Sequence, residues 1–204
     1  SDLQVGPRER STELPAIMRT LAGKLTCIFT GAHGIANGLD AVLDAAAELK
    51  RRGCADVALL FIGDGRLKPS LVRRAQLEDL SNCFFIEPMP KHLLVQLQMD
   101  VGVGLMVLAD VPAFYNGTSP NKFFDYLAAG LPIVINYPGW LAGIVTQRRC
   151  GIAVPPGDPI AFADALERLA RSPRERADMG SRARRLAEEE FSREKLAAQF
   201  VDFL

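Results

Sequence analysis

What most limits the folds open to this chain is its set of short runs with no polar face. Val57-Ala58-Leu59-Leu60-Phe61-Ile62 is apolar throughout, and Leu25-Thr26-Cys27-Ile28-Phe29-Thr30 is built from β-branched, aromatic and small residues. A strand with one wet face alternates apolar and polar side chains. These runs do not, so both of their faces must be covered by protein. Between them lie stretches with helical spacing. Leu39, Val42, Leu43, Ala46 and Leu49 recur at three- and four-residue intervals, and Gly53 stops the pattern.

The same alternation continues along the chain. A helix is expected from about Arg66 to Leu80, a strand at 84–86, a helix from Lys91 to Met99 and a strand from Val101 to Leu108. Further on come a helix opening near Ser119, a strand at 132–135, a helix at 141–148, a strand at 151–154 and a helix at 159–171. The tail from Pro173 reads as two amphipathic helices split near Phe191-Ser192. Strands covered on both faces and alternating with helices form a parallel sheet, and right-handed crossovers make it doubly wound and Rossmann-like. In such α/β sheets ligands bind beyond the carboxyl ends of the strands. The loops there are 31–38, 63–66, 87–91 and 109–122, and they should converge in space.

At 204 residues the chain suits one α/β domain, and 49% hydrophobic with 24% charged residues is globular composition. Zero formal net charge argues against a nucleic-acid partner. Cys27, Cys54, Cys83 and Cys150 form no C-x-x-C pair and have no metal-ligand spacing, so they read as reduced core cysteines. No apolar run approaches the ~20 residues of a membrane span.

Three loops carry candidate chemistry. The first holds Gly31, His33, Gly34 and Gly38. Its glycines would let backbone N–H groups approach a phosphate, and His33 at its tip could donate to a phosphate or hydroxyl. Its spacing is not G-x-G-x-x-G, and a plain turn fits it as well. In the second, Gly63-Asp64-Gly65-Arg66 opens a helix with a base, which is favourable beside an anion and otherwise a solvated surface charge. In the third, Ser119 suits an N-cap and Pro120 the first helical position. Lys122 then falls in the first turn, beside the positive pole of the helix, where a cation costs ~0.3–1 kcal/mol unless an anion shares the site. Asp125 lies three residues on. It either pairs with Lys122 on a wet surface or leaves Lys122 for a phosphate while binding a hydroxyl itself. Asp110 and Tyr115 could touch a sugar. Trp140 reads as packing, with aromatic stacking on a ligand the minor alternative.

These residues resemble a known family. Gly117-Thr118-Ser119-Pro120-Asn121-Lys122-Phe123-Phe124-Asp125-Tyr126-Leu127-Ala128-Ala129-Gly130-Leu131-Pro132 is similar to the nucleotide-sugar motif of family-4 retaining glycosyltransferases of the GT-B fold. The loops Gly31–Gly38 and Gly63-Asp64-Gly65 are similar to that family's first and second loops. The resemblance implies one half of a GT-B enzyme, with residues 1–22 an interdomain leader and 23–190 the donor-binding domain. Residues 191–204 would be a helix that packs on a missing N-terminal acceptor domain. It implies a UDP-sugar donor, with GDP-sugar the alternative, and no metal or other cofactor. Donor contacts fall on Gly31, His33, Gly34, Gly65, Arg66, Met89 (through its backbone, to the base), Gly117, Thr118, Ser119, Asn121, Lys122 and Asp125, with Lys122 also catalytic. The sequence departs from the pattern in three places. The first of two motif carboxylates falls on Gly117, and the usual basic pair falls on Ala32 and Asn37, so Lys122 helped by Arg66 would supply the missing positive charge.

The resemblance further implies hexosyl or N-acetylaminosugar transfer in surface-polysaccharide or lipopolysaccharide synthesis. The setting would be cytoplasmic, at the inner face of the membrane where the acceptor is membrane-associated, and the half-enzyme alone would be inactive. Two other readings stay open: a non-catalytic Rossmann-like nucleotide-binding module, and a sugar-nucleotide epimerase of the same architecture.

Overall fold

The computed structural model describes residues 17–115 and 120–191. Its strands are β1 (Leu25–Thr30), β2 (Val57–Ile62), β3 (Cys83–Ile86), β4 (Val103–Met106), β5 (Ile133–Ile135) and β6 (Gly151–Ala153). They form one parallel sheet in the order β3-β2-β1-β4-β5-β6. Every residue of β1, β2, β4 and β5 is buried, as runs without a polar face require.

The helices are α1 (Asp40–Arg51), α2 (Lys68–Leu77), α3 (Lys91–Asp100), α4 (Pro112–Tyr115), α5 (Asn121–Ala128), α6 (Trp140–Gln147), α7 (Pro159–Arg171) and α8 (Pro173–Glu190). One face of the sheet is covered by Val42, Leu43 and Leu49 of α1, Leu71 of α2 and Phe162, Leu166 and Leu169 of α7. The other takes Leu97 of α3, Phe123, Tyr126 and Leu127 of α5, Leu141 and Val145 of α6 and Leu186 of α8. This is the doubly wound, Rossmann-like sheet expected from the sequence.

Chain direction across the sheet reverses between β1 and β4. β1 pairs with β2 from Leu25↔Val57 to Thr30↔Ile62, but with β4 only at Cys27↔Val103 and Ile28↔Gly104. The two central strands therefore part at their carboxyl ends, opening the crevice where such sheets bind ligands.

Some boundaries differ from expectation. α2 starts at Lys68 rather than Arg66, because residues 63–67 are held in loop geometry by the first loop. β4 ends at Met106, beyond which Asn136 takes over the backbone of Leu108 by accepting its N–H and donating to its carbonyl. Pro120 is the N-cap of α5 and Asn121 its first residue, one position later than read from the sequence. Asn116, Gly117, Thr118 and Ser119, the leader as far as residue 16 and the last helix beyond Phe191 lie outside the described residues. Among the described residues no helix is long and apolar enough to cross a membrane. The cysteines are free, and burial pushes the thiols of Cys27, Cys83 and Cys150 up, away from reactivity.

Candidate functional site

The loops at the carboxyl edge interlock through their backbones. Gly31 N–H donates to Ile62 O at 2.9 Å, and Gly63 N–H donates to Ile86 O at 3.2 Å. His33 N–H donates to Asp64 O and Leu67 N–H to His33 O, each at 2.9 Å. Asn37 Nδ2 donates to Ala32 O at 2.7 Å, and Ala109 N–H to Ala36 O at 3.0 Å. Gly63 has φ +147°, and a Cβ there would lie 1.9 Å from Gly31 O, so only glycine lets the first two loops meet. Four loops distant in sequence thus share one edge.

That edge is electropositive on one side. The helices α2, α3 and α5 all start there, and each carries a lysine in its first turn with no acidic residue beside it: Lys68, Lys91 and Lys122. Three positive helix poles each reinforced by a cation is an unfavourable arrangement unless anions neutralise it. Lys68 is neutralised internally. Its Nζ is buried, donating to Gly63 O at 3.0 Å, Ile86 O at 3.3 Å and Glu87 Oε1 at 2.6 Å. Lys91 lies 3.5 Å from Asp125 Oδ1.

Lys122 has no carboxylate partner among the described residues. Its ammonium sits 3.8 Å from the centroid of the Phe29 ring, and a Cβ on Gly31 would be 3.2 Å from it. Burial pushes its pKa down to about 7. The surface pair between Lys122 and Asp125 is not formed, since Asp125 faces Lys91 instead. An amine desolvated over an aromatic ring at the mouth of β1, with no counter-ion among the described residues, would be stabilised in its charged form by an anion.

The other candidates are distributed around this point. Gly31 meets Lys122 directly, and Gly65 packs so closely on His33 that a Cβ would be 2.7 Å from its carbonyl oxygen. Nothing lies within 4 Å of a Cβ built on Gly34, so the space above it is open. Asn121 is exposed at the first position of α5. Neither backbone polar group of Met89 is paired within the described residues. Arg66 is exposed and lines a groove with Asp64, Gly65, Lys68 and Glu87. Trp140 is 41% exposed and its ring lies 6.4 Å from that of Phe123.

His33 is not at an exposed loop tip. It is 0% exposed, enclosed by Phe29, Phe61 and Phe85 with ring centroids 6.1, 6.4 and 6.3 Å away, and neither ring nitrogen has a partner among the described residues. The apolar floor at the mouths of β1, β2 and β3 draws the ring inward. Its pKa falls to about 4, through burial first and then the charge of Lys68. The sequence reading also passed over Lys68 and Lys91, although both carry the signal that singled out Lys122, a base in the first turn of a helix.

The arrangement brings together the Lys122 ammonium over Phe29, the Asp125 carboxylate against Lys91, and Met89, whose backbone groups are unpaired within the described residues. Among the described residues no cluster of His, Cys, Asp and Glu is placed to hold a metal.

Comparison with known proteins identifies the family and the fold. The profile of the family described as glycosyl transferases group 1 matches residues 24–172. Alpha-D-kanosaminyltransferase of Streptomyces kanamyceticus is 27% identical over 165 residues, 81% of this chain and 41% of that protein. The crystal structure of Anabaena HepE in complex with UDP-glucose matches with TM-score 0.77 at 15% identity, over 98% of this chain and 53% of that one. WaaG, a glycosyltransferase involved in lipopolysaccharide biosynthesis, matches with TM-score 0.69 at 16% identity, over 92% of this chain and 48% of that one. The chain thus spans about half the length of these relatives and has the fold of one Rossmann-like half of a GT-B glycosyltransferase.

Proposed function

The chain belongs to the glycosyl transferases group 1 family, and from that premise we propose that it is the donor-binding half of a retaining, family-4 enzyme. The observation that carries this reading is Lys122, unpaired by any described carboxylate and desolvated over Phe29 where β1 and β4 part. The donor is a nucleoside diphosphate sugar, UDP in preference to GDP, and the transferred group a hexosyl or N-acetylaminosugar unit. HepE, a structural neighbour, is solved with UDP-glucose, which supports the choice of uridine.

In the proposed reaction the bond from the anomeric carbon to the diphosphate oxygen breaks. The electron pair leaves with the diphosphate, and the acceptor hydroxyl bonds to the same face of the sugar while passing its proton to the departing diphosphate oxygen. Lys122 and the N–H groups opening α5 offset the charge that develops on the leaving oxygen, so they act most strongly in the transition state. Asp125 accepts the ribose hydroxyls, and Met89 backbone groups read the base. Arg66 assists the diphosphate from the second loop. The acceptor, membrane-associated and lipid-linked, is bound by an N-terminal half. The pathway is surface-polysaccharide or lipopolysaccharide assembly at the cytoplasmic face of the membrane; WaaG, a fold neighbour, works in lipopolysaccharide biosynthesis.

Calorimetry on the 204-residue chain tests the reading. UDP or GDP should bind, and no transfer to an added acceptor should occur. Lys122→Ala should weaken nucleoside diphosphate binding roughly 10- to 100-fold, the worth of a charge-assisted contact. Uridine binding should change little. A folded chain that binds neither diphosphate, or a variant that loses nucleoside and diphosphate equally, overturns the assignment.

A further inference from the structure

The bases at the carboxyl edge of the sheet lie on one side. Over β3, β2 and β1 stand Lys91, Lys68, Arg66 and Lys122, with Glu87 against Lys68, Asp125 against Lys91 and Asp64 on the Gly65 N–H. The described loops that leave β4, β5 and β6, at 107–115, 136–139 and 154–158, contain no lysine or arginine, and their carboxylates are Asp110 and Asp158. Asp158 is committed to structure, since its Oδ1 accepts the Ala161 N–H at 2.8 Å as the cap of α7. Asp110 is exposed, and its Oδ1 accepts the Tyr115 hydroxyl, while a Cβ on Gly157 would be 3.5 Å from its Oδ2. The residue before it, Ala109, packs against the backbone of Gly38, which fixes this carboxylate relative to the first loop.

Tyr115 is itself braced. Its ring lies nearly parallel to that of Tyr137, at 9° and 6.4 Å between centroids. Tyr137 is 2% exposed, and its hydroxyl is a buried polar atom with no partner among the described residues. An oriented carboxylate therefore stands on a braced tyrosine, in a described loop that carries no lysine or arginine.

We propose that Asp110, oriented by Tyr115, accepts hydroxyl groups of the unit carried on the diphosphate and selects neutral polyols over acidic ones. This rests on the donor reading above. A diphosphate drawn to Lys122 fixes the polarity of the ligand, because that reading puts the base at Met89, beyond β3, and of the two carboxylates in the described loops over β4 to β6 Asp110 is the one that caps no helix. The nucleoside then extends toward Met89 and the carried unit toward Asp110. A carboxylate accepts well from hydroxyl groups, and with no base beside it repels a second anion. A uronic acid or an additional phosphate at this end is disfavoured. Tyr115 is a positioning residue, acting through the orientation of Asp110.

The test compares parent nucleotide with nucleotide sugar by calorimetry on the same chain. UDP, UDP-glucose, UDP-N-acetylglucosamine, UDP-glucuronate, GDP and GDP-mannose are titrated into wild type, Asp110→Asn and Tyr115→Phe. A thermal melt confirms that each variant is folded. In wild type, the best neutral sugar nucleotide should bind more tightly than its parent, and UDP-glucuronate more weakly than UDP. Asp110→Asn should leave the parent unchanged and weaken the neutral sugar nucleotide roughly tenfold. It should also narrow the gap between neutral and uronic donors. Tyr115→Phe should shift the same ratio in the same direction by a smaller factor. Equal change in parent and sugar nucleotide, no change in either, or a wild type that gains nothing from any sugar overturns the role of Asp110. A wild type that binds neither UDP nor GDP removes the donor reading itself, which is a separate outcome.

Discussion

The Tyr126 hydroxyl accepts the Thr30 N–H at 3.0 Å and donates to the Ile28 carbonyl at 3.2 Å, with Thr30 Oγ1 also 3.1 Å away. β4 has already parted from β1 at this level, so a phenol from α5 does the work of a neighbouring strand. Room for its ring comes from Gly104, where a Cβ would lie 2.5 Å from a ring carbon. Tyr126→Phe leaves a buried N–H unpaired and should cost ~1–3 kcal/mol in urea unfolding. Gly104→Ala overpacks the same contact and should cost at least ~1–3 kcal/mol. Because Lys122 is one turn ahead of Tyr126 on α5, both variants should also weaken diphosphate binding.

Lys122 gives that binding a pH dependence. Its pKa in the folded chain is pushed down from 10.5 to about 7, so between these values the unfolded chain holds a proton that the folded chain has released. Stability from this group therefore rises with pH across the window and is lowest below about 7, where the buried amine must carry its charge. Diphosphate binding runs the other way, since the anion favours the protonated amine. Affinity should fall as pH rises above about 7, and binding there should take up a proton. Titrations in buffers of different ionisation enthalpy measure this uptake, which Lys122→Met should abolish.

Much of the sheet was legible because burial on both faces leaves a direct mark on composition, as in Val57–Ile62. The crevice was legible through one charge at the wrong end of a helix. What the sequence hid depends on which side chain wins a space shared by distant segments. Asp125 has Lys122 one turn before it, yet Lys91, which opens a different helix, lies against it. His33 carries polar atoms in a glycine-rich loop, which suggests exposure, and only the proximity of Phe29, Phe61 and Phe85 explains its burial. The short helix Pro112–Tyr115 has too few residues for a period to show.

Enclosure of His33 with both nitrogens unpaired is costly. His33→Leu keeps an apolar contact surface against the three phenylalanines and removes the unsatisfied atoms. It should raise stability by ~1 kcal/mol, or roughly 2–4 °C in the thermal midpoint. The folded pKa is lowered from 6.5 to about 4, so the unfolded chain binds the extra proton in that interval. Wild-type stability should then decline as pH falls from 6.5 toward 4, and the variant should lack this part of the decline. Unfolding curves at pH 7 and pH 5 check both statements. If the ring serves only as packing, diphosphate affinity is unchanged in the variant.

Lys68 separates a buried hydrogen-bonding role from an ion pair. Its ammonium holds the carbonyls of Gly63 and Ile86 at the ends of β2 and β3, whereas the side chain of its partner Glu87 is 55% exposed. Water can replace the lysine around Glu87 but not around the two carbonyls. Glu87→Ala should therefore cost under ~1 kcal/mol, as for a wet ion pair. Lys68→Met keeps most of the aliphatic stem and strands the carbonyls, and should cost ~2–3 kcal/mol. The double variant should be close to Lys68→Met alone. Similar losses from the two single variants would mean that the charge pair, rather than the strand-end carbonyls, is what Lys68 stabilises. Since those carbonyls set the height of Gly63 under Gly31, Lys68→Met should weaken diphosphate binding at Lys122 even in a folded chain, while Glu87→Ala should not.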